Sequence, residues 1–179
     1  MDLLAARHAK VAVDGICYGQ RDVPVVTDAD AASDILLEQL ARRATRVARV
    51  WASPWSRTRE PALRVAQRLG VPLAVDARIS ELAFGRWEGK PYADLEREAD
   101  FVAWMANWTT AAPPGGERVA DLVARVRAWR QEVQVRQEAV FALTHAGVVR
   151  VLRAEARGVG YEGVADTPVP PLEAELFEL

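Results

Sequence analysis

The chain has 179 residues, half of them hydrophobic, and a formal net charge of -2. This length suits one domain with a substantial core. The sequence has no basic stripe that would favour nucleic acid, no lysine–arginine cluster that would favour a membrane surface, and no run of membrane-spanning length. The single cysteine, Cys17, cannot form an internal disulfide. A reducing compartment, the cytoplasm, is therefore expected.

The first part of the chain alternates strand and helix patterns. The apolar residues 3–6 predict a buried strand, and the Gly-, Pro- and Asp-rich residues 11–27 predict a long loop. Thr27 or Asp28 can cap a helix that extends to about Arg43. The apolar residues expected on the inward face of this helix are Ile35, Leu36, Leu37 and Leu40.

A second strand and helix follow in the same order. Residues 47–52 predict a strand, which Ser53 and Pro54 end. Residues 58–69 predict a helix that ends at Gly70, and residues 73–75 predict a short edge strand. This repeat of strand and helix is typical of a parallel sheet.

The rest of the chain holds an irregular segment and four further elements. Residues 84–116, rich in glycine, proline and tryptophan, predict an excursion that covers the site and contains one or two short helices. Residues 116–135 have the clearest helical spacing, and residues 139–144 predict a buried strand. A helix over 147–156 and a strand over 173–179 complete the pattern. The order predicts a single three-layer α/β/α domain with a mainly parallel sheet.

Both histidines of the chain lie at the carboxyl ends of predicted strands, His8 after the first and His145 after the last parallel one. Ser53 and Pro54 lie at a third such end. Ligands bind outside the carboxyl ends of parallel strands, so these sequences are expected to meet at one crevice. An imidazole there can act as a neutral nucleophile or as a cation with little adjustment.

The neighbouring arginines indicate a phosphate ester as the ligand. A phosphate monoester carries nearly two negative charges, and a guanidinium group offers permanent charge with planar donors. Arg57 stands where a loop enters a helix, whose first N–H groups also attract anions; Arg59 is the competing candidate. Arg7 precedes His8 directly, so the two reach one site only if the chain turns at the strand end.

Five short sequences match, in the same order, those of one known family. The first is Arg-His-Gly, here with alanine third (7–9), and the second is Ser-Pro-x-x-Arg-x-x-x-x-Ala (53–62). A Leu-x-Glu-x-x-Phe-Gly-x-Trp-Glu-Gly segment follows with isoleucine first (79–89). Pro-x-Gly-Gly-Glu (113–117) and His-Ala-Gly-Val-x-Arg (145–150) complete the series. Together they resemble the histidine phosphatase superfamily, the group of phosphoglycerate mutase-like phosphatases.

The resemblance implies a phosphoglycerate mutase-like fold and a phosphomonoesterase that needs neither metal nor cofactor. It makes His8 the nucleophile, which becomes a phosphohistidine. Arg7, Arg57 and His145 would hold the phosphoryl oxygens and offset the charge of the transition state. A small-molecule phosphate ester is the expected partner, with no nucleic acid or membrane, and the chain is expected to be a monomer or a homodimer.

The resemblance leaves two carboxylates, Glu81 and Glu88, as candidates for the general acid. Glu81 matches the family position and would protonate the leaving alkoxide, then take a proton from the attacking water. Glu88 lies seven residues later and stays open as the alternative. The matched segment favours Glu81.

Two positions beside the nucleophile depart from the family pattern. Ala9 replaces the usual glycine, which would put a methyl group where backbone approaches phosphate, and Lys10 stands where many members have glutamate. These departures motivate a second hypothesis. The chain would then be a weakly active or inactive relative that binds phosphorylated ligands or a protein phosphohistidine.

A loop after the nucleophile indicates one subgroup of the family. Residues 15–24 are similar to the corresponding segment of α-ribazole phosphatases, which act in cobalamin assembly. Tyr18, Gly19 and Gln20 of this loop are therefore candidate substrate-binding residues. Tyr18, Trp87 or Trp108 would stack on a nucleotide-like base unless they belong to the core.

Overall fold

A computed structural model describes residues 2–43 and 46–178. Its strands are β1 (Asp2–Arg7), β2 (Arg49–Ala52), β3 (Leu73–Val75), β4 (Val140–Thr144) and β5 (Ala174–Glu178). They form one sheet in the order β3-β2-β4-β1-β5, in which only β5 pairs antiparallel. The predicted α/β class with a mainly parallel sheet is confirmed.

The described residues form six α-helices. They are α1 (Ala29–Arg42), α2 (Ser56–Leu69), α3 (Tyr92–Leu95), α4 (Ala99–Asn107), α5 (Val119–Arg136) and α6 (Ala146–Arg157). Side chains of α5 and α6 pack with Leu3 and Ala5 on one face, and those of α1 and α2 pack with Leu4 and Ala6 on the other. Alternate residues of β1 thus serve two cores, which makes three layers. No helix among the described residues is long and apolar enough to cross a membrane.

The ends of several elements differ from the sequence prediction. Helix α5 begins at Val119 rather than 116, because the Asp121 carboxylate accepts a hydrogen bond from the Arg118 N–H at 3.0 Å and starts the helix there. Helix α6 runs one residue further at each end than expected. Strand β5 spans Ala174–Glu178, and the last residue of its predicted range, Leu179, lies outside the described part of the chain.

One predicted inward residue of α1 is wrong. Ile35 is 42% exposed, while the inward face consists of Ala32, Ser33, Leu36 and Leu40. Each residue turns about 100° around a helix axis, so a stripe through positions 32, 36 and 40 leaves position 35 at its side. The sequence alone did not reveal that two small residues, rather than Ile35, face the sheet and α2.

The irregular segment 84–116 contains α3, α4 and a short 3₁₀ turn at Gly85–Trp87. Trp87, Leu95 and Phe101 form a small separate core with Cys17 from the preceding loop. The Trp87 and Phe101 ring centroids lie 5.1 Å apart. Trp87 is thus a core residue and not a platform for a base. That the segment covers the site stays a prediction.

Candidate active site

The two histidines meet at the carboxyl end of the sheet. β1 and β4 are neighbours with Arg7 opposite Thr144, so the next residues, His8 and His145, stand side by side. The His8 N–H donates to the Thr144 carbonyl at 2.9 Å, which extends the ladder by one bond. The two ring centroids are 5.1 Å apart, and both side chains are buried.

His8 is held in one tautomer. Its Nδ1 lies 2.7 Å from the carbonyl oxygen of Ala9, and a carbonyl only accepts, so Nδ1 carries the hydrogen and Nε2 keeps a lone pair. Burial lowers the pKa of His8 from 6.5 to about 3; the bond to Ala9 opposes this, and the charges of Arg57 and Arg7 add to it. The imidazole is therefore neutral near physiological pH, as a nucleophile requires.

The departures at positions 9 and 10 leave this arrangement intact. The Ala9 side chain is buried in the apolar cluster that contains Leu4, Ala6 and Ala32. Its methyl group thus fills the core, while its carbonyl orients His8. Lys10 is exposed, and its carbonyl accepts from the Val26 N–H at 2.8 Å.

Arg57 lies in the first turn of α2 with its side chain fully buried. Its Nη1 donates to the Arg21 carbonyl at 2.8 Å, and its Nη2 donates to the Gly19 carbonyl at 2.6 Å. Nη2 also lies 3.5 Å from Nδ1 of His145. Arg59, the competing candidate, is exposed. The structure therefore brings Arg57, and not Arg59, to the histidines.

Arg7 adds a second guanidinium group near the histidines. Its Nη1 donates to the Val169 carbonyl at 3.1 Å, and its charge lowers the pKa of both imidazoles. Among the described residues, the buried Nε atoms of Arg7 and Arg57 have no hydrogen-bond partner. Buried N–H donors are normally paired, so these two nitrogen atoms each keep a hydrogen that a ligand could accept.

The hydroxyl groups of Ser53 and Thr58 orient the His145 ring through Nε2. Nε2 of His145 lies 2.7 Å from Oγ of Ser53, which lies 2.7 Å from Oγ1 of Thr58. The single hydrogen of the Thr58 hydroxyl is shared between the Ser53 and Trp55 carbonyl oxygens, at 3.0 and 2.9 Å. Burial first, then the His8 and Arg57 groups, lower the pKa of His145 well below its ordinary value. The sequence pointed to Ser53, but nothing in it singled out Thr58.

The two candidate acids have different surroundings. The Glu81 carboxylate accepts from the Leu82 N–H at 2.9 Å and from the Gly147 N–H at 3.1 Å, two residues beyond His145. A Cβ at Gly147 would overlap a Glu81 oxygen, so glycine is needed for this approach. Glu88 instead accepts from the backbone N–H groups of Gln20 and Phe84. The Glu88 carboxylate thus joins two loops, whereas the Glu81 carboxylate is bonded to the backbone next to His145. That Glu81 is the general acid stays a prediction.

The loop residues predicted to bind substrate lie around Arg57. The Tyr18 ring stands 5.6 Å from the Arg57 guanidinium, and the Gly19 carbonyl accepts from it. The Gln20 amide nitrogen donates to the Glu81 carbonyl at 3.1 Å and to the Glu117 carboxylate at 3.2 Å. Both hydrogens of that nitrogen are thus used within the protein. Trp108, the other aromatic candidate, packs against Tyr161.

Comparison with protein-family models matches residues 3–178 to the histidine phosphatase superfamily, branch 1. The chain belongs to this superfamily. A putative phosphoserine phosphatase 2 of Hydrogenobacter thermophilus is 26% identical over 90% of this chain and 81% of its own. The adenosylcobalamin/α-ribazole phosphatase of Salmonella typhimurium is 28% identical over 85% and 77%. Some relatives are longer: the chain spans only 32% of a bifunctional protein of Mycobacterium tuberculosis.

A solved structure has the same fold. A putative α-ribazole-5′-P phosphatase from Escherichia coli superposes with a TM-score of 0.87 and 23% identity, over 98% of this chain and 89% of that one. The predicted phosphoglycerate mutase-like fold and the likeness to α-ribazole phosphatase-type members are confirmed. The chain is a phosphoric monoester hydrolase of the histidine phosphatase type.

The candidate site of this histidine phosphatase combines three kinds of group. His8 is a neutral imidazole with a free lone pair near the charges of Arg57 and Arg7. The Glu81 carboxylate is bonded to the Gly147 N–H, two residues beyond His145. Among residues 2–43 and 46–178, no group of three or more His, Cys, Asp or Glu is placed to hold a metal ion. The roles that the family resemblance implies, those of nucleophile, anion-holding group and proton carrier, each have a candidate among the residues described.

Proposed function

We propose that this histidine phosphatase hydrolyses small phosphate monoesters by two successive phosphoryl transfers through a phosphohistidine at His8. The observation that carries the proposal is the 2.7 Å bond from Nδ1 of His8 to the Ala9 carbonyl, because it leaves the lone pair on Nε2. A buried neutral imidazole beside two arginines has the protonation state and the surroundings that attack on a phosphate dianion needs.

In the first transfer, Nε2 of His8 forms a bond to phosphorus while the ester P–O bond breaks. Arg7 and Arg57 hold the phosphoryl oxygens. His145 adds a third contact through Nδ1 in its protonated form, which a bound phosphate dianion favours, while its Nε2 stays bonded to Ser53. The negative charge that moves onto the leaving oxygen is removed by a proton from the Glu81 carboxyl group. The products are the alcohol and a phosphorylated His8.

In the second transfer, water replaces the alcohol. Glu81, now a carboxylate, takes a proton from the water as its oxygen attacks phosphorus. The N–P bond breaks, its electron pair returns to Nε2 of His8, and inorganic phosphate leaves. Glu81 is protonated again, so one carboxyl group serves both halves of the cycle.

We further propose α-ribazole phosphate as the first substrate to test, in a reducing cytoplasm that suits the buried thiol of Cys17. The support is the loop of residues 15–24 and the names of two relatives, one of them the phosphatase of S. typhimurium. Tyr18, beside Arg57, offers a ring close to the phosphate end of such a ligand. Phosphoserine and glucosyl-3-phosphoglycerate belong in the same panel, since other relatives are named as phosphatases of these two esters.

The test compares the wild type with His8→Ala on p-nitrophenyl phosphate in the presence of a chelator. The proposal expects turnover by the wild type and a loss of at least about 10³-fold in kcat for His8→Ala, as when a nucleophile is removed. Steady-state kcat/KM over the substrate panel then ranks the esters. Retained phosphate binding without turnover by the wild type would favour the binding-protein hypothesis instead.

A further inference from the structure

Four successive carbonyl groups, those of residues 78–81, are held by side chains rather than by strand or helix partners. The Arg78, Ser80 and Glu81 carbonyls accept from one guanidinium group, that of Arg125. The carbonyl between them, that of Ile79, accepts from the Thr144 hydroxyl at 2.6 Å. Because backbone groups away from water need partners, these contacts fix the path of the chain up to Glu81.

Arg125 uses every donor it has in this contact. A guanidinium group carries five N–H bonds. Nη1 donates to the Arg78 and Ser80 carbonyls at 2.7 and 2.6 Å, and Nη2 donates to the Glu81 carbonyl at 2.9 Å. Nε and Nη2 also form a two-point pair with the Glu117 carboxylate at 2.9 and 3.0 Å. The side chain is only 19% exposed, so water screens this cluster little.

The same cluster also reaches the loop that contains Gln20. The Glu117 carboxylate also accepts from the Ala83 N–H at 3.1 Å and from the Gln20 amide at 3.2 Å. Gln20 donates to the Glu81 carbonyl as well. Gln20 directly follows Gly19, whose carbonyl accepts from Arg57. The loop that holds Arg57 is thereby joined to the segment that carries Glu81.

We propose that Arg125, paired with Glu117, is the positioning residue of the general acid. It touches neither substrate nor phosphoryl group; it holds the backbone of Glu81 so that the carboxyl group stays beside Gly147 and the leaving oxygen. This inference rests on the proposed function, in which Glu81 protonates the leaving group. Neither residue type nor spacing marked Arg125 in the sequence.

A positioning role has a signature that a purely structural role lacks. Protonation matters for an alkoxide, which is a poor leaving group, and matters little for p-nitrophenolate, which departs without a proton. Displacing the acid should therefore slow alkyl phosphates selectively. The constant kcat/KM reports this first transfer, because release of the alcohol ends it.

The experiment measures kcat/KM for glycerol 2-phosphate and for p-nitrophenyl phosphate with Arg125→Met, Arg125→Lys and Glu117→Gln. The matched control is Arg127→Met, two residues along the same helix, where the side chain is 60% exposed and pairs with Glu155. We expect Arg125→Met to lower the alkyl value by about 30-fold and the aryl value by less than about 3-fold. Arg125→Lys, which keeps the charge, should recover part of the alkyl loss, and the control should change neither value.

Two results would overturn the inference: equal losses on both substrates, or no loss on either. If Arg125→Met does not fold, as judged by circular dichroism, Arg125→Lys and Glu117→Gln carry the same ratio test. Glu81→Gln distinguishes the general-acid role of Glu81 from the positioning role of Arg125. If Glu81→Gln slows the alkyl phosphate more than the aryl phosphate and the Arg125 variants do not, only the positioning role of Arg125 fails. If Glu81→Gln slows both substrates equally, the assignment of Glu81 as the general acid fails.

Discussion

His8 and His145 stand at the ends of adjacent parallel strands, whereas Glu81 stands in a segment that side chains hold in place. The distance between the imidazoles follows from the register of β1 against β4 and from one further backbone bond. The position of Glu81 depends instead on Arg125, Thr144 and two N–H groups. The nucleophile side should therefore tolerate changes in surrounding side chains better than the acid side does.

Arg57→Lys should have the largest effect, because in the proposed mechanism Arg57 holds the phosphoryl group directly and is not merely a surrounding side chain. Lysine keeps the charge but cannot donate to the Gly19 and Arg21 carbonyls while it also faces a phosphoryl group. We expect kcat/KM for p-nitrophenyl phosphate to fall by about 10²- to 10³-fold. Arg59→Lys is the matched control, and an equal loss in that variant would contradict the choice between the two arginines.

Gly147→Ala tests the acid side with one methyl group. The new Cβ would overlap the Glu81 carboxylate, whose flexible end can move away, so the fold should survive while the acid shifts. We expect kcat/KM for an alkyl phosphate to fall by about 10- to 100-fold, with a smaller loss on p-nitrophenyl phosphate. Thermal unfolding serves as the check: a large drop in Tm with an unchanged ratio of the two substrates would speak against this account.

Stability should fall in mild acid because of the buried histidines. His8 has a folded pKa of about 3 against 6.5 for the ordinary group, so protons favour the unfolded chain. Its contribution is fully present above pH 6.5 and is lost as the pH falls towards 3. From pH 7 to pH 5 this amounts to about 2 kcal/mol for His8 in the substrate-free protein.

Urea unfolding at pH 7, 6 and 5 measures this loss. In His8→Asn, whose amide can still donate to the Ala9 carbonyl, the pH dependence should be shallower by about the same amount. An equally steep dependence in the variant would mean that His8 does not carry the linkage and that its imidazole is not buried as described.

Ala9→Gly should have the smallest effect on activity. The Ala9 methyl lies in the core and its carbonyl is present in either residue, so we expect kcat/KM to change by less than about 3-fold. Loss of the buried methyl and greater backbone freedom should destabilise the fold by about 1 kcal/mol. A large gain in activity would show that the methyl obstructs the phosphate after all.

The sequence predicted the parts of the molecule that regular patterns control. Apolar runs indicated four of the strands closely, and the carboxyl ends of these strands predicted that His8 lies near His145, as the structure shows. The sequence did not predict Arg125 or Thr58, because a buried arginine or hydroxyl has the same sequence pattern as an exposed one. The prediction that Ile35 faces inward was wrong for a related reason. The side of α1 that is buried depends on how the helix packs against the sheet and α2, which the sequence does not show.

The most direct test of the account is to trap the phosphorylated enzyme. Rapid mixing with labelled phosphate ester, alkaline quenching and peptide mapping should place an acid-labile phosphate on His8, formed as fast as turnover and absent from His8→Ala. Turnover at full rate with no such label, or with the label on another residue, would contradict the phosphohistidine mechanism.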